Sequence, residues 1–149
     1  MTSIQRFITR FTLLASLALS GAANADGIGT AGVWDVYITP DGAPGPVAVN
    51  RVHFDQDGTL TNIDPQFGTG LGTWAHTPRQ GYVSEIVHYF VAGEYEGNIV
   101  PGKVVVKGAG QHIDRNTAEG EFETTIYVGG EIYQELSGTI YSERVGAPD

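Results

Sequence analysis

Gly32-Val33-Trp34-Asp35-Val36-Tyr37-Ile38-Thr39 is the stretch that decides the fold. Trp34, Val36 and Ile38 recur at every second position, so they share one face of an extended strand. The loop Pro40–Pro46 (PDGAPGP) ends that strand. A glycine stands two residues before the indole, and the same spacing returns at Gly72-Thr73-Trp74. Both pairs follow glycine-rich runs, Gly27–Thr30 and Gly68–Leu71, and these are the only two tryptophans. A large ring set beside a residue without a side chain predicts a plug at the end of a small β-structure, where backbone passes close to an indole.

The rest of the chain repeats this grammar, with alternation broken by turn residues and no helical period. Strands are predicted at 33–39, 47–54, 59–63, 73–77, 82–91, 104–107, 121–128 and 131–145. The sixth has a possible earlier start at Asn98, interrupted at Pro101-Gly102. Asp55-Gln56-Asp57-Gly58, Pro78–Gly81, Ala92–Gly97, Asp114–Gly120 and Gly129-Gly130 supply turns. Eight strands joined by short connections predict a single eight-stranded antiparallel up-and-down barrel, whose closure removes exposed edges. A two-sheet sandwich is the alternative.

The first 25 residues carry a different signal. Arg6 and Arg10 precede the apolar run Phe11–Leu19, and Ala23-Asn24-Ala25 fits an A-x-A cleavage site. This pattern predicts a secretory signal peptide over 1–25 and a barrel domain over 26–149, exported to a periplasm or the exterior. The apolar run is too short to span a bilayer. The whole chain has a formal charge of −9, and loss of the two arginines takes it to −11. Such a surface argues against nucleic-acid partners and anionic membranes and for solubility in an exported protein. There is no cysteine, so neither a disulfide nor a lipoprotein anchor is available. A domain of about 124 residues is large enough to stand on packing and hydrogen bonds alone. Oligomeric state is not readable.

Gly32-x-Trp34 on the first strand, eight meandering strands and a basic residue on the last strand resemble the calycin group of lipocalins, fatty-acid-binding proteins and avidins. In lipocalins the first-strand Trp closes one barrel end, and a last-strand Arg or Lys packs across it. Arg144 is the matching residue here, which implies a structural pair of Trp34 and Arg144. A departure is the lack of a helix after strand eight, which leans toward avidin-like or allene oxide cyclase-like barrels. The resemblance therefore implies a small hydrophobic ligand held inside, or a cyclase or isomerase acting on a hydrophobic substrate. No cofactor is implied. A filled barrel serving as a structural or interaction module is the third possibility.

Carrying the Trp34 parity around the sheet predicts interior sets of Ala48, Asn50, Val52 and Phe54; of Tyr82, Ser84, Ile86, His88 and Phe90; of Phe122, Thr124, Ile126 and Val128; and of Ile132, Gln134, Leu136 and Ile140. The candidate ligand-binding residues are thus Trp34, Asn50, Phe54, Trp74, His88, Phe90 and Gln134. This lining suits a small hydrophobic molecule with one or two polar handles, and equally a filled core with satisfied polar groups. His88 is the candidate for acid–base chemistry because imidazole titrates near neutrality, and Tyr82 is a candidate donor to a carbonyl oxygen. Trp74 shares parity with His76 and is assigned to the open end, a ligand stack or the outer wall. His53, Asp55 and Asp57 gather near a hairpin end, with His76 near another. The Asp57-Gly58 pair is what a tight turn needs, so no metal site is assigned.

Overall fold

In a computed structural model, residues 29–146 are described, and the expected signal peptide lies outside them. The eight strands are β1 (Gly32–Pro40), β2 (Ala48–Phe54), β3 (Thr59–Asp64), β4 (Gly68–Thr77), β5 (Gly81–Tyr95), β6 (Asn98–His112), β7 (Thr117–Val128) and β8 (Glu131–Arg144). Every strand pairs antiparallel with the next, and β1 pairs with β8 to close the barrel. The sandwich alternative is thereby excluded. The architecture is consistent with a calycin-like barrel.

Alternation sets the wall. On β2, Asn50, Val52 and Phe54 are buried while Val49, Arg51 and His53 are exposed. Outward side chains pair across neighbouring strands, as Arg51 does with Asp35 at 2.9 and 3.0 Å. The apolar core runs from Trp34, Phe54, Trp74 and Ala118 at one end to Val36, Ile86, Phe122 and Ile140 midway along the barrel.

Several strands are longer than alternation alone predicts. Gly68–Gly72 is not a lead-in but the first half of β4. Pro101-Gly102 does not interrupt β6, and Gly108–His112 continues it. The turn expected at 114–120 shrinks because β7 starts at Thr117. On β8 the expected interior set is corrected. A bulge beside Tyr133 places Ile132 opposite Tyr127, an outward position, and Ile132 is exposed. Gln134 and Leu136 keep inward parity but are exposed, because β1 ends at Pro40, opposite Gly138, and gives them no neighbour. The buried inward residues of β8 are Gly138, Ile140 and Ser142. β5–β8 thus outreach β1–β4 and form a lip at the end away from Trp34.

Candidate functional site

The end near Gly32 is stoppered. Trp34 is 2% exposed, and its indole N–H donates to the Thr30 carbonyl at 2.8 Å. The Arg144 guanidinium lies 4.3 Å from the ring centroid and donates to the carbonyls of Ala31, Gly29 and Arg115. Gly32 takes φ 129°, and a Cβ there would run into that guanidinium. The expected Trp34–Arg144 pair is therefore formed. Trp74 lies at this same end and points inward. It meets Phe54 edge-on at 5.6 Å, and its N–H donates to the Asp55 carbonyl. Of the three placements considered for Trp74, neither the open end nor the outer wall holds. His76, though 4.7 Å from the indole, is exposed.

A second polar group lies toward the other end. β2 contributes Asn50, β3 contributes Asn62 and Asp64, β5 contributes His88, and the β3–β4 turn contributes Phe67. Asn62 Nδ2 and His88 Nε2 are 3.0 Å apart, and both residues are almost wholly buried. Asn50 Nδ2 donates to Asp64 Oδ2 at 3.0 Å. The other oxygen of that carboxylate, Oδ1, accepts the backbone N–H groups of Gln66 and Phe67 at 2.7 and 2.8 Å, which shapes the turn. The turn lays Phe67 against His88 (6.4 Å) and Phe90 (5.4 Å), so it covers the polar group. Gly70 makes this possible, since a Cβ there would sit 2.5–2.7 Å from the His88 ring.

Between the two ends is a cavity of about 50 Å³, lined by Asn50, Asn62, Tyr82, Ser84, Ile86 and Phe122 among others. Asn50 Oδ1 and Asn62 Oδ1 are buried and have no hydrogen-bond partner. A much larger concavity of about 740 Å³ lies on the outer wall, bordered by Thr39, Glu119, Glu121 and Tyr141. It is open to solvent and away from the buried polar group.

Burial dominates the titration of the interior. It pushes Tyr82 up to about 12, so the phenol stays protonated. It holds His88 below the ordinary imidazole value, against the opposing charge of Asp64 and the backbone of Gly68 and Phe67. His112, whose Nε2 lies 2.9 Å from Thr30 Oγ1, is lowered by burial and then by the charge of Arg144. Burial therefore favours the neutral form of both imidazoles in the folded barrel. The unfolded chain takes up protons near pH 6.5 that the folded chain refuses. Stability should be full well above that pH and fall as pH drops through about 6.5 toward the lower folded-state values. Urea unfolding midpoints across this range check it. A flat profile would show that the imidazoles titrate as freely as in the unfolded chain. Losses from the carboxylates of Asp57 and Asp114, both held low by hydrogen bonds, come in a separate, more acidic window.

The expected site residues thus separate. Trp34, Phe54 and Trp74 pack the closed end, although Phe54 also borders the cavity. Asn50, His88 and Phe90 lie toward the lip, and Gln134 is exposed on it. Tyr82 and His88 share one face of β5, six residues and about 20 Å apart. Tyr82 sits against Phe54 and His112, so the two candidates do not meet one small substrate together. Asp57 accepts from the Thr59 N–H and hydroxyl, a turn role, and His53 lies 3.5 Å from Asp55 on the surface. Among the described residues, no three His, Cys, Asp or Glu side chains gather as a metal site. Asn62, Asp64, Phe67 and His112 were not among the expected residues. The continued alternation Val104, Val106, Gly108, Gly110, His112 was a signal for the last of them. No protein-family profile, curated protein or solved structure matches the chain.

Proposed function

We propose that this protein is an exported, calycin-like barrel that binds a small, largely apolar molecule in its interior, entering past Phe67. The observation that carries this reading is that two residues lining one cavity, Asn50 and Asn62, each hold a buried side-chain oxygen without a partner. Buried acceptors without partners cost stability, and a ligand that donates to them recovers it. The cavity is well below the roughly 150 Å³ that accepts a benzene ring. A ligand of more than a few heavy atoms therefore needs Phe67 and Phe90 to swing outward. Phe67 is on a turn, the element suited to such movement.

The small volume favours a filled barrel as the second reading, with water serving the two oxygens. The cyclase reading has less support. His88 is partnered by an amide rather than a carboxylate, and Tyr82 is remote from it. Native mass spectrometry of the protein purified from its own host, followed by extraction of any retained compound, separates the first two readings. A reproducible added mass, lost on denaturation, is expected. Repeated recovery of the bare chain would overturn ligand binding in favour of the filled barrel.

A further inference from the structure

We infer that Asp64 sets the polarity of the interior site, so that the site selects a ligand that donates a hydrogen bond. This rests on the ligand-binding reading above. Asp64 Oδ2 accepts from Asn50, so the Asn50 amide turns its Nδ2 toward it. The Asn50 oxygen is then left buried with no partner, on a residue that lines the cavity. Asn50 is 8% exposed and Asn62 2%, so water from outside does not serve either oxygen directly. Asn62 lines the same cavity, with its Nδ2 3.0 Å from His88 Nε2 and its own oxygen buried without a partner. Each of these two lining residues thus keeps an unfilled acceptor, which an N–H or O–H group satisfies where an ether or ketone oxygen is repelled.

The same carboxylate holds the turn that carries Phe67. Asp64 is therefore a positioning residue that links the cover of the site to its chemistry. Replacing it by asparagine inverts the arrangement. The side-chain oxygen of the new residue is retained by the Gln66 and Phe67 N–H groups, and its Nδ2 replaces the oxygen that faced Asn50. Asn50 must then rotate to accept, which leaves its own Nδ2, a donor, as the unpartnered atom.

The test is an NMR titration of the described barrel within the mature chain, using pyrrole, a ring N–H donor, and furan, a ring of the same shape with an oxygen acceptor. Side-chain amide signals of Asn50 and Asn62 are the readout. The wild-type protein should bind pyrrole about tenfold more tightly than furan, the scale of one net hydrogen bond. Asp64→Asn should reverse that order. Asn50→Leu, which leaves the Asp64 turn intact, should bring the two probes within about twofold of each other, and it tests the inference even if Asp64→Asn does not fold. Equal binding of both probes to the wild type would overturn donor selectivity and leave ligand binding standing. An unchanged order in a folded Asp64→Asn would overturn the role of Asp64. No binding of either probe to the wild type would overturn the ligand-binding reading itself.

Discussion

Trp34→Ala should lower the unfolding free energy by about 3–5 kcal/mol, the range for removing a large buried aromatic side chain. Three losses coincide at this position. The ring is 2% exposed, so its removal opens a void that the surrounding strands fill only in part. The Thr30 carbonyl loses the indole N–H that satisfies it. Arg144 loses the face on which its guanidinium is stacked, a contact of about 0.5–2 kcal/mol. Chemical denaturation at neutral pH measures the sum. A loss below about 1 kcal/mol would mean that the ring does not seal the barrel. Trp34→Phe, which keeps most of the volume and loses the N–H, should fall between the variant and the wild type.

Gly72→Ala should be about as damaging, at about 3 kcal/mol or more, although it adds a single methyl group. A Cβ at Gly72 would meet the Glu85 carbonyl and come within 2.9 Å of the Ile86 Cα. Both are backbone atoms of β5, the strand to which β4 is hydrogen-bonded. A side chain can rotate away from an intruding methyl, but a paired strand has to move as a whole. Gly45→Ala provides the contrast, because nothing lies within 4 Å of its Cβ position. It should change stability by no more than about 0.5 kcal/mol. Similar denaturation midpoints for the two alanine variants would show that the β4–β5 pairing tolerates a wider spacing.

The comparison of Gly45 with Gly72 also shows what was legible in the sequence. The barrel itself was readable, because Trp34-x-Val36-x-Ile38 and Phe122-x-Thr124-x-Ile126 carry their inward parity openly. The resemblance to lipocalins implied the pairing of Arg144 with Trp34. The glycine runs 68–72 and 108–110 could not be read as strand. Glycine weakens a strand taken alone, and its reason for being there is a neighbour on another strand. That neighbour is the His88 ring for Gly70, the Glu85 backbone for Gly72 and the Tyr82 ring for Gly110. Site residues divide in the same way. Asn50 and His88 stood out as polar members of apolar faces. Asn62 and Asp64 lie on a strand too short to show a face, and their meeting with Asn50 and His88 depends on the registers of β2–β3, β3–β4 and β4–β5 together. Gln134 has the right parity but stands beyond the point where β1 ends.

The seam between β1 and β8 has a kinetic consequence. Seven of the eight ladders join consecutive strands, so each can form as a local hairpin. The eighth brings together distant residues such as Trp34 and Arg144, 110 positions apart. Closing a chain segment of that length costs roughly 4 kcal/mol of loop entropy before any contact across it is gained. Folding should therefore proceed by the lateral growth of a curling sheet, with the seam as its slow, final step. Trp34 lies on that seam, so its burial reports barrel closure in time, after the hairpins have formed.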